Sequence, residues 1–428
     1  MTIAPTSDRQ PQDTLTGSQW RAALPWLIAF ALLLALPFVF RSSSAITVMN
    51  QMAITVIFAL SYNMLLGQGG MLSFGHAVYM GLGGFFAVHV MNTLLVPLPL
   101  LPLFGGLFGL IFAIIVGAFS TRRAGTVFAM ISLGVGELVA ASSIIIVSFF
   151  GGEAGVKGDR TEAPAFLGIN FASQTQVYYL IAAWMFLSAL AMYLFTRTPA
   201  GRMANAVRDN EERAEFLGYS QRTVRFMSFC AAGFFAGIAG ALIAINFEIL
   251  TEENLNLTSS GVILLVTFLG GVGFFIGPIV GAVAFTLLQS VLSLQTDLWQ
   301  LYVGLLFLLA VMFFPGGLTG VLAMHGPAWR HGKLGLLTVP YLKLTAVVVT
   351  GILAAACFLE ILFHVRHASV GENTMRLFKL TIDTHAVWPW LATGGVALIC
   401  LALANRLAPD VKAAWDAANL PAKGSARR

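Results

Sequence analysis

Apolar runs of 15–25 residues follow one another along nearly the whole 428-residue chain, with polar residues concentrated between them. Helices of that length match the hydrocarbon thickness of a bilayer, where a helix satisfies its own backbone groups. The pattern predicts twelve spans, at about 24–40, 45–66, 74–95, 98–119, 125–149, 176–196, 226–247, 258–273, 276–294, 298–314, 342–363 and 387–405. Only Phe274 and Phe275 separate 258–273 from 276–294, so these are either two short spans or one broken, re-entrant element. No long low-complexity linker divides the chain. After FFPGGLTGVLA (313–323), however, a basic loop leads to a final hairpin. The expected fold is an all-α polytopic membrane protein of about twelve transmembrane segments. It comprises a tail over 1–23, a ten-span core over 24–325, and an extension over 326–428 with two further spans and a second tail.

Composition agrees with this reading. Hydrophobic residues make up 58% of the chain, charged residues 10%, and the mean hydropathy is +0.84, which excludes a soluble globular protein. The net charge of +5 reflects where Lys and Arg sit, not affinity for nucleic acid. With a cytoplasmic N-terminus, 18 of the 24 Lys and Arg fall inside, including Arg122, Arg123 and six arginines from Arg197 to Arg225. This asymmetry predicts both termini in the cytoplasm. Gly151–Thr175, Phe247–Leu257 and His364–Ala386 then face outward. The first two are either contacts for a soluble partner or solvated connections. Ser43-Ser44-Ala45 weakly resembles a cleavage site, but a polar leader of about 20 residues is long for a signal peptide and more spans follow at once. An uncleaved first helix is expected. Cys230, Cys357 and Cys400 lie inside apolar runs, without a CxxC, and read as packing residues.

Glycines break two of the runs. Residues 67–84 read GQGGMLSFGHAVYMGLGG, and 270–282 read GGVGFFIGPIVGA. Backbone freed by such breaks must be buried in protein or line a wet cavity. Paired interruptions in the two halves of a membrane protein point to a translocation path. The other reading is close helix packing through small residues such as Gly277 and Gly281. Polar side chains within the spans mark candidate pathway residues: Ser73, His76, Asn63 and, mid-span in MISLGVGELVAA, Glu137. A buried carboxylate there costs on the order of 3 kcal/mol to insert and needs a partner or water. Hydrogen bonding between helices is the competing assignment for each.

One long charged run separates apolar segments. Arg197–Arg225 carries ten of the 43 charged residues (24 basic, 19 acidic). Within it, Asp209–Gly218 reads as a short helix. Asp209 is the expected N-cap, Glu212 completes a box-like pattern, Glu211 favours the positive dipole end, and Gly218 suits the left-handed C-terminal position. Barely two turns over Asn210–Leu217 are unstable alone and must dock, with Ala214 and Leu217 on one face and Phe216 widening the patch. Such a helix either transmits motion from a soluble partner or is a solvated loop of locally paired charges.

Here the chain resembles a known family. The run GRMANAVRDNEERAEFLG is similar to the GR-x-x-x-A-x-R-x-N-E-x-R-A-x-x-L-G signature of ABC importer permeases of the branched-chain amino acid type, the LivM subunit. The matching residues are Gly201, Arg202, Ala206, Arg208, Asn210, Glu211, Arg213, Ala214, Leu217 and Gly218. LSFGHA (72–77), LGGVG…GPIVGA (269–282) and FFPGGLTG (313–320) resemble the family too, in the expected order, so the likeness covers roughly 45–324.

The resemblance implies a multi-pass permease subunit of the bacterial inner membrane, surrounded by lipid. A second, LivH-type permease would pair with it, two cytoplasmic ATPases would power it, and a periplasmic solute-binding protein would load it. Branched-chain or related apolar amino acids would be the cargo, although related permeases carry urea, amides or small organic acids. In that frame Arg202, Arg208, Asn210, Glu211, Glu212, Arg213, Ala214, Leu217 and Gly218 couple the subunit to an ATPase. The chain has no G-x-x-x-x-G-K-[ST]; its nearest pair, Gly332-Lys333, continues with Leu334. Nucleotide chemistry is therefore assigned to partner subunits, and no catalytic residue, cofactor or metal is expected here. The alternative is an ion- or proton-coupled carrier relaying protons through Glu137 and His76. The extension from about Gly326 lies outside the family's usual core.

Overall fold

Residues 221–247 are rich in glycine and alanine, and the helix they form is the most enclosed span of the molecule. The computed structural model describes residues 14–314, 316–367, 374–377, 380–384 and 386–419. In chain order the helices of the first half are α1 (Thr14–Val39), α2 (Ser43–Asn63), α3 (Ala77–Leu94), α4 (Leu101–Ser120), α5 (Gly125–Ile145), the short α6 (Val147–Phe150), α7 (Gln174–Arg197), α8 (Pro199–Asp209) and α9 (Glu211–Phe216). There follow α10 (Gln221–Phe247), α11 (Leu257–Gly270), α12 (Gly277–Leu292), α13 (Trp299–Phe313), α14 (Gly317–Met324), α15 (Gly326–Arg330), α16 (Gly335–His367) and α17 (Val387–Asn419). The described strands are β1 (Val156–Lys157), β2 (Ile249–Leu250), β3 (Thr374–Leu377) and β4 (Leu380–Asp383), paired as two small antiparallel ribbons.

Small residues set how closely α10 meets its neighbours. A Cβ added to Gly105 of α4 would stand 2.6 Å from the Gly237 carbonyl oxygen, and one on Gly83 of α3 would stand 2.6 Å from Gly237 Cα. Only glycine permits these crossings, in which backbone packs on backbone where lipid offers no hydrophobic drive for helices to associate. Large apolar side chains fill the space around them, with Tyr62, Phe85, Phe128 and Phe229 almost fully buried.

The chain is a multi-pass membrane protein. Eight described helices are long and apolar enough to cross a bilayer, and a ninth arises if α13 and the 317–330 segment, bent by 44°, form one span. Ala23–Val39, α11 and α12 are apolar but shorter. All twelve expected segments therefore contain helix, and among the described residues eight or nine helices reach crossing length. At about 1.5 Å per residue, the 14 residues of α11 and 16 of α12 fall short of a bilayer core of roughly 30 Å. These two fold back on one another at Gly271–Ile276: a Cβ on Gly281 would lie 2.8 Å from Gly270 N. The first helix starts at Thr14, ten residues before the expected boundary, and α17 continues through much of the expected C-terminal tail. Residues 1–13 and 420–428, expected in the cytoplasm, lie outside the described residues.

Two compact units divide the chain, Met1–Gly320 and Val321–Arg428. In the second, α16 and α17 run antiparallel. Gly351 packs against Cys400, Phe358 meets Trp390 edge-on at 5.3 Å, and Leu337 and Ala418 close the other end with Ala328. Most of the remaining surface of both helices is exposed and apolar.

Candidate functional site

The first glycine break begins where α2 widens into a π-helical turn over Met64–Gln68 and then leaves helical geometry until α3 starts at Ala77. The backbone groups released there are buried, so each needs a partner. Tyr62 Oη donates to the Ser73 carbonyl (2.9 Å), Phe74 N–H donates to Ser132 Oγ of α5 (3.0 Å), and Ala77 N–H donates to Ser260 Oγ of α11 (3.1 Å). His76 stacks on Phe58 and is flanked by Tyr62 and Tyr79. Its Nε2 lies 3.0 Å from Ser61 Oγ, and that hydroxyl gives its own proton to Phe58 O. His76 Nε2 must therefore carry the hydrogen in this bond, which leaves Nδ1 a buried acceptor without a hydrogen-bond partner.

The breaks meet. A Cβ on Gly67 would stand 2.6 Å from the Val272 carbonyl, and one on Gly317 would stand 2.6 Å from Gly271 Cα. The first break, the α11–α12 turn and the start of α14 are thus in backbone contact.

The charged connection is a pair of docked helices. Thr198 caps α8, its Oγ accepting from Gly201 N–H (3.2 Å), with Pro199 at the first helical position. Ala204 and Val207 of α8, Ala214 of α9 and Val224 of α10 form a small apolar cluster that holds the pair down. Asn210, not Asp209, caps α9: its Oδ1 accepts from Arg213 N–H at 2.9 Å, whereas Asp209 is the last residue of α8. Arg213 occupies the third helical position, so Glu212 forms no capping box. Gly218 adopts φ +85°, and the Tyr219 and Gly218 amides close back on Ala214 and Glu215. Glu211 pairs with Arg225, which is 6% exposed on α10.

Ala214 and Leu217 differ in exposure. Ala214 is buried in the chain, while Phe216 is 90% and Leu217 64% exposed at the tip of α9. Arg202, Glu212 and Arg213 are also exposed. The Arg208 guanidinium donates from Nη1 to the Gly67 carbonyl and pairs through Nη2 with Asp209 at 2.8 Å.

The four candidate pathway residues fall into two environments. Ser73 and His76 are fully buried, and Asn63 is nearly so, all in the interior of this chain. Glu137 was expected to be buried, but it lies on the exposed face of α5 with Met130, Gly134 and Ala141. The reason is the register of α5: Ser132 and Gly136 pack on the first break and Phe128 on Phe229 of α10, which turns Glu137 away. Sequence reasoning missed Ser61, Ser132 and Ser260 as partners of the break, because single serines in apolar runs carry no spacing signal. It also missed α8, whose Thr-Pro start and apolar Met203, Ala204 and Val207 would have announced it.

At another surface the β1–β2 ribbon joins the Gly151–Thr175 and Phe247–Leu257 loops. It borders an open polar cleft of about 590 Å³ lined by Asn92, Lys157, Asp159, Glu162 and Glu248. Hydrogen bonds from the Thr161 hydroxyl and amide hold the Asp159 carboxyl below the usual carboxylate range. Arg160 bonds Glu248 through its backbone amide.

A multi-pass helical bundle with paired broken segments and one charged, docked helix pair has the architecture of a membrane transport subunit. The chain belongs to the family described as branched-chain amino acid transport system / permease component, whose model matches residues 44–314. It is 24% identical over 332 residues to the high-affinity branched-chain amino acid transport system permease protein LivM of Escherichia coli (strain K12), covering 71% of this chain and 76% of that protein. The LivM protein of Salmonella typhimurium gives the same figures. The autoinducer 2 import system permease protein LsrC of Salmonella paratyphi B is 34% identical over 173 residues, 39% of this chain and 47% of that one. These relatives are transport permease subunits, not enzymes. No solved structure matches the chain.

Proposed function

We propose that this chain is a permease subunit of an ATP-driven importer in the bacterial inner membrane, importing branched-chain or related apolar amino acids. The observation that carries the coupling part is the tip of α9. Two large apolar side chains, Phe216 and Leu217, stand out on a helix that is capped by Asn210 and pinned by Ala214 and the Glu211–Arg225 pair. Exposed apolar groups on a rigid, charged support suit a soluble partner. In this reading α8 and α9 are cytoplasmic, in accord with the excess of arginine there, and each permease of a pair receives one ATPase subunit. Arg202, Glu212 and Arg213 surround the contact, and Gly218 ends it.

Glu137 supports the placing of the path. A mid-span carboxylate on an exposed helix face does not rest in hydrocarbon, so the α5 face meets water and the second, LivH-type permease. Ser73, His76 and Asn63 brace the wall of that path from inside the chain. The outer polar cleft is the side from which a periplasmic solute-binding protein loads the transporter. The longer likeness, to LivM, favours branched-chain amino acids over the autoinducer 2 of the LsrC name.

The test is a Phe216→Ser/Leu217→Ser double variant, co-expressed with cognate ATPase, second-permease and binding-protein subunits. ATP-dependent leucine uptake should fall below about a tenth of wild type, the scale of losing one apolar hot spot, while membrane insertion is unchanged. Wild-type uptake in this variant would end the coupling assignment. Ligand binding by the cognate binding protein settles the substrate.

A further inference from the structure

The π-helical turn after α2 leaves the Gly67 carbonyl pointing at α8, and Arg208 is its donor. The arginine stem reaches it by lying across Gly70, which adopts φ +64°; a Cβ there would stand 2.8 Å from Arg208 Cγ. Gly67 is also where the first break touches the second, at Val272, and Gly271 in turn touches Gly316 and Gly317. Asp209 Oδ1 accepts from the other two guanidinium nitrogens, Nε and Nη2, and α9 starts two residues later. A motif that reads in sequence as a surface charge run therefore sends the guanidinium of one partly exposed arginine onto the Gly67 carbonyl, beside the point where the breaks meet. A planar, permanently charged fork on a buried carbonyl is a stiff link.

We propose that Arg208 is a positioning residue that couples α8–α9 mechanically to the glycine breaks, and that it is not a contact for the ATPase. This rests on the coupling reading above. Displacement of α9 by its partner is carried through α8 and Arg208 to Gly67, and from there to Val272 and the Gly271–Gly317 contact. The same contacts run from the breaks back to α9, so a signal from the outer side reaches the ATPase by this link in the proposal.

The complete complex, reconstituted in proteoliposomes, tests this through the stimulation of ATP hydrolysis by the solute-binding protein, purified with the ligand it carries from the cell. In Arg208→Ala, basal hydrolysis and ATPase co-purification should remain while stimulation drops about fivefold or more, the usual scale of a coupling between sites. Arg208→Lys, which still donates one bond, should recover part of it. Gly70→Ala should reproduce the loss with the arginine intact, because its Cβ displaces the stem and strains the backbone at φ +64°; if Arg208→Ala fails to accumulate, Arg208→Gln, which keeps a donor of similar reach without the charge, takes its place. Wild-type stimulation in Gly70→Ala overturns the proposal, as does loss of ATPase binding in Arg208→Ala, which would make Arg208 a direct contact. A wild-type complex whose ATPase ignores the binding protein refutes the coupling reading itself, and this inference falls with it.

Discussion

A carboxylate midway along an apolar helix has few tolerable surroundings, and Glu137 is held outward by Phe128, Ser132 and Gly136 on the opposite side of α5. No hydrogen bond or ion pair reaches it among the described residues. Glu137→Gln keeps the shape and removes the charge. Uptake should change several-fold, on the order of 1 kcal/mol or more, while the amount of assembled complex stays constant, as read by co-purification of the other subunits. Unchanged uptake would return Glu137 to packing. His76 is the contrasting case. Its residue type invited a pathway role, but its ring is enclosed by Phe58, Tyr62 and Tyr79. Nothing in the local sequence distinguishes the two, because direction depends on which neighbours a helix acquires.

At the scale of elements, α9 illustrates how a cap is decided. Asp209, three residues before Glu212, fits the usual box pattern, and Asn210, three before Arg213, does not. The choice falls to Asn210 because α8, started by Thr198 and Pro199, runs on through Asp209 and occupies it. Asn210→Ala should cost about 1 kcal/mol of local stability. Hydrogen exchange in the 211–219 segment should accelerate about fivefold, with exchange in α10 unaffected. A cap held by packing alone would show no change. Gly218, by contrast, was legible in sequence, since a left-handed helix terminus is a demand on one residue's own backbone.

The whole molecule separates into a core that carries the family match and a C-terminal unit beyond it. Every contact described above between the breaks and the charged connection lies within Met1–Gly320. A chain ended after Met324 should therefore insert and support uptake within about twofold of wild type, the limit expected when no contact of the coupling path is removed. Loss of uptake with the shortened chain still assembled would give α16 and α17 a working role. The distinct character of this region was readable from its position after FFPGGLTG and the basic loop. What α16 and α17 pack against within their own unit, such as Gly351 on Cys400, was not.

The sequence by itself determined the membrane class, the position of the long apolar helices, the two glycine breaks and the family signature. These rest on properties summed over consecutive residues: hydropathy, helix-breaking, caps and motif spacing. Tertiary structure alone decided how α11 and α12 fold back on one another and which way Glu137 and His76 face. It also decided that the outer loops pair through β1 and β2, and that Arg208 reaches a carbonyl 141 positions away. The physical reason is the same each time. In a bilayer every freed backbone group must find a partner, and the partners here come from segments distant in the chain.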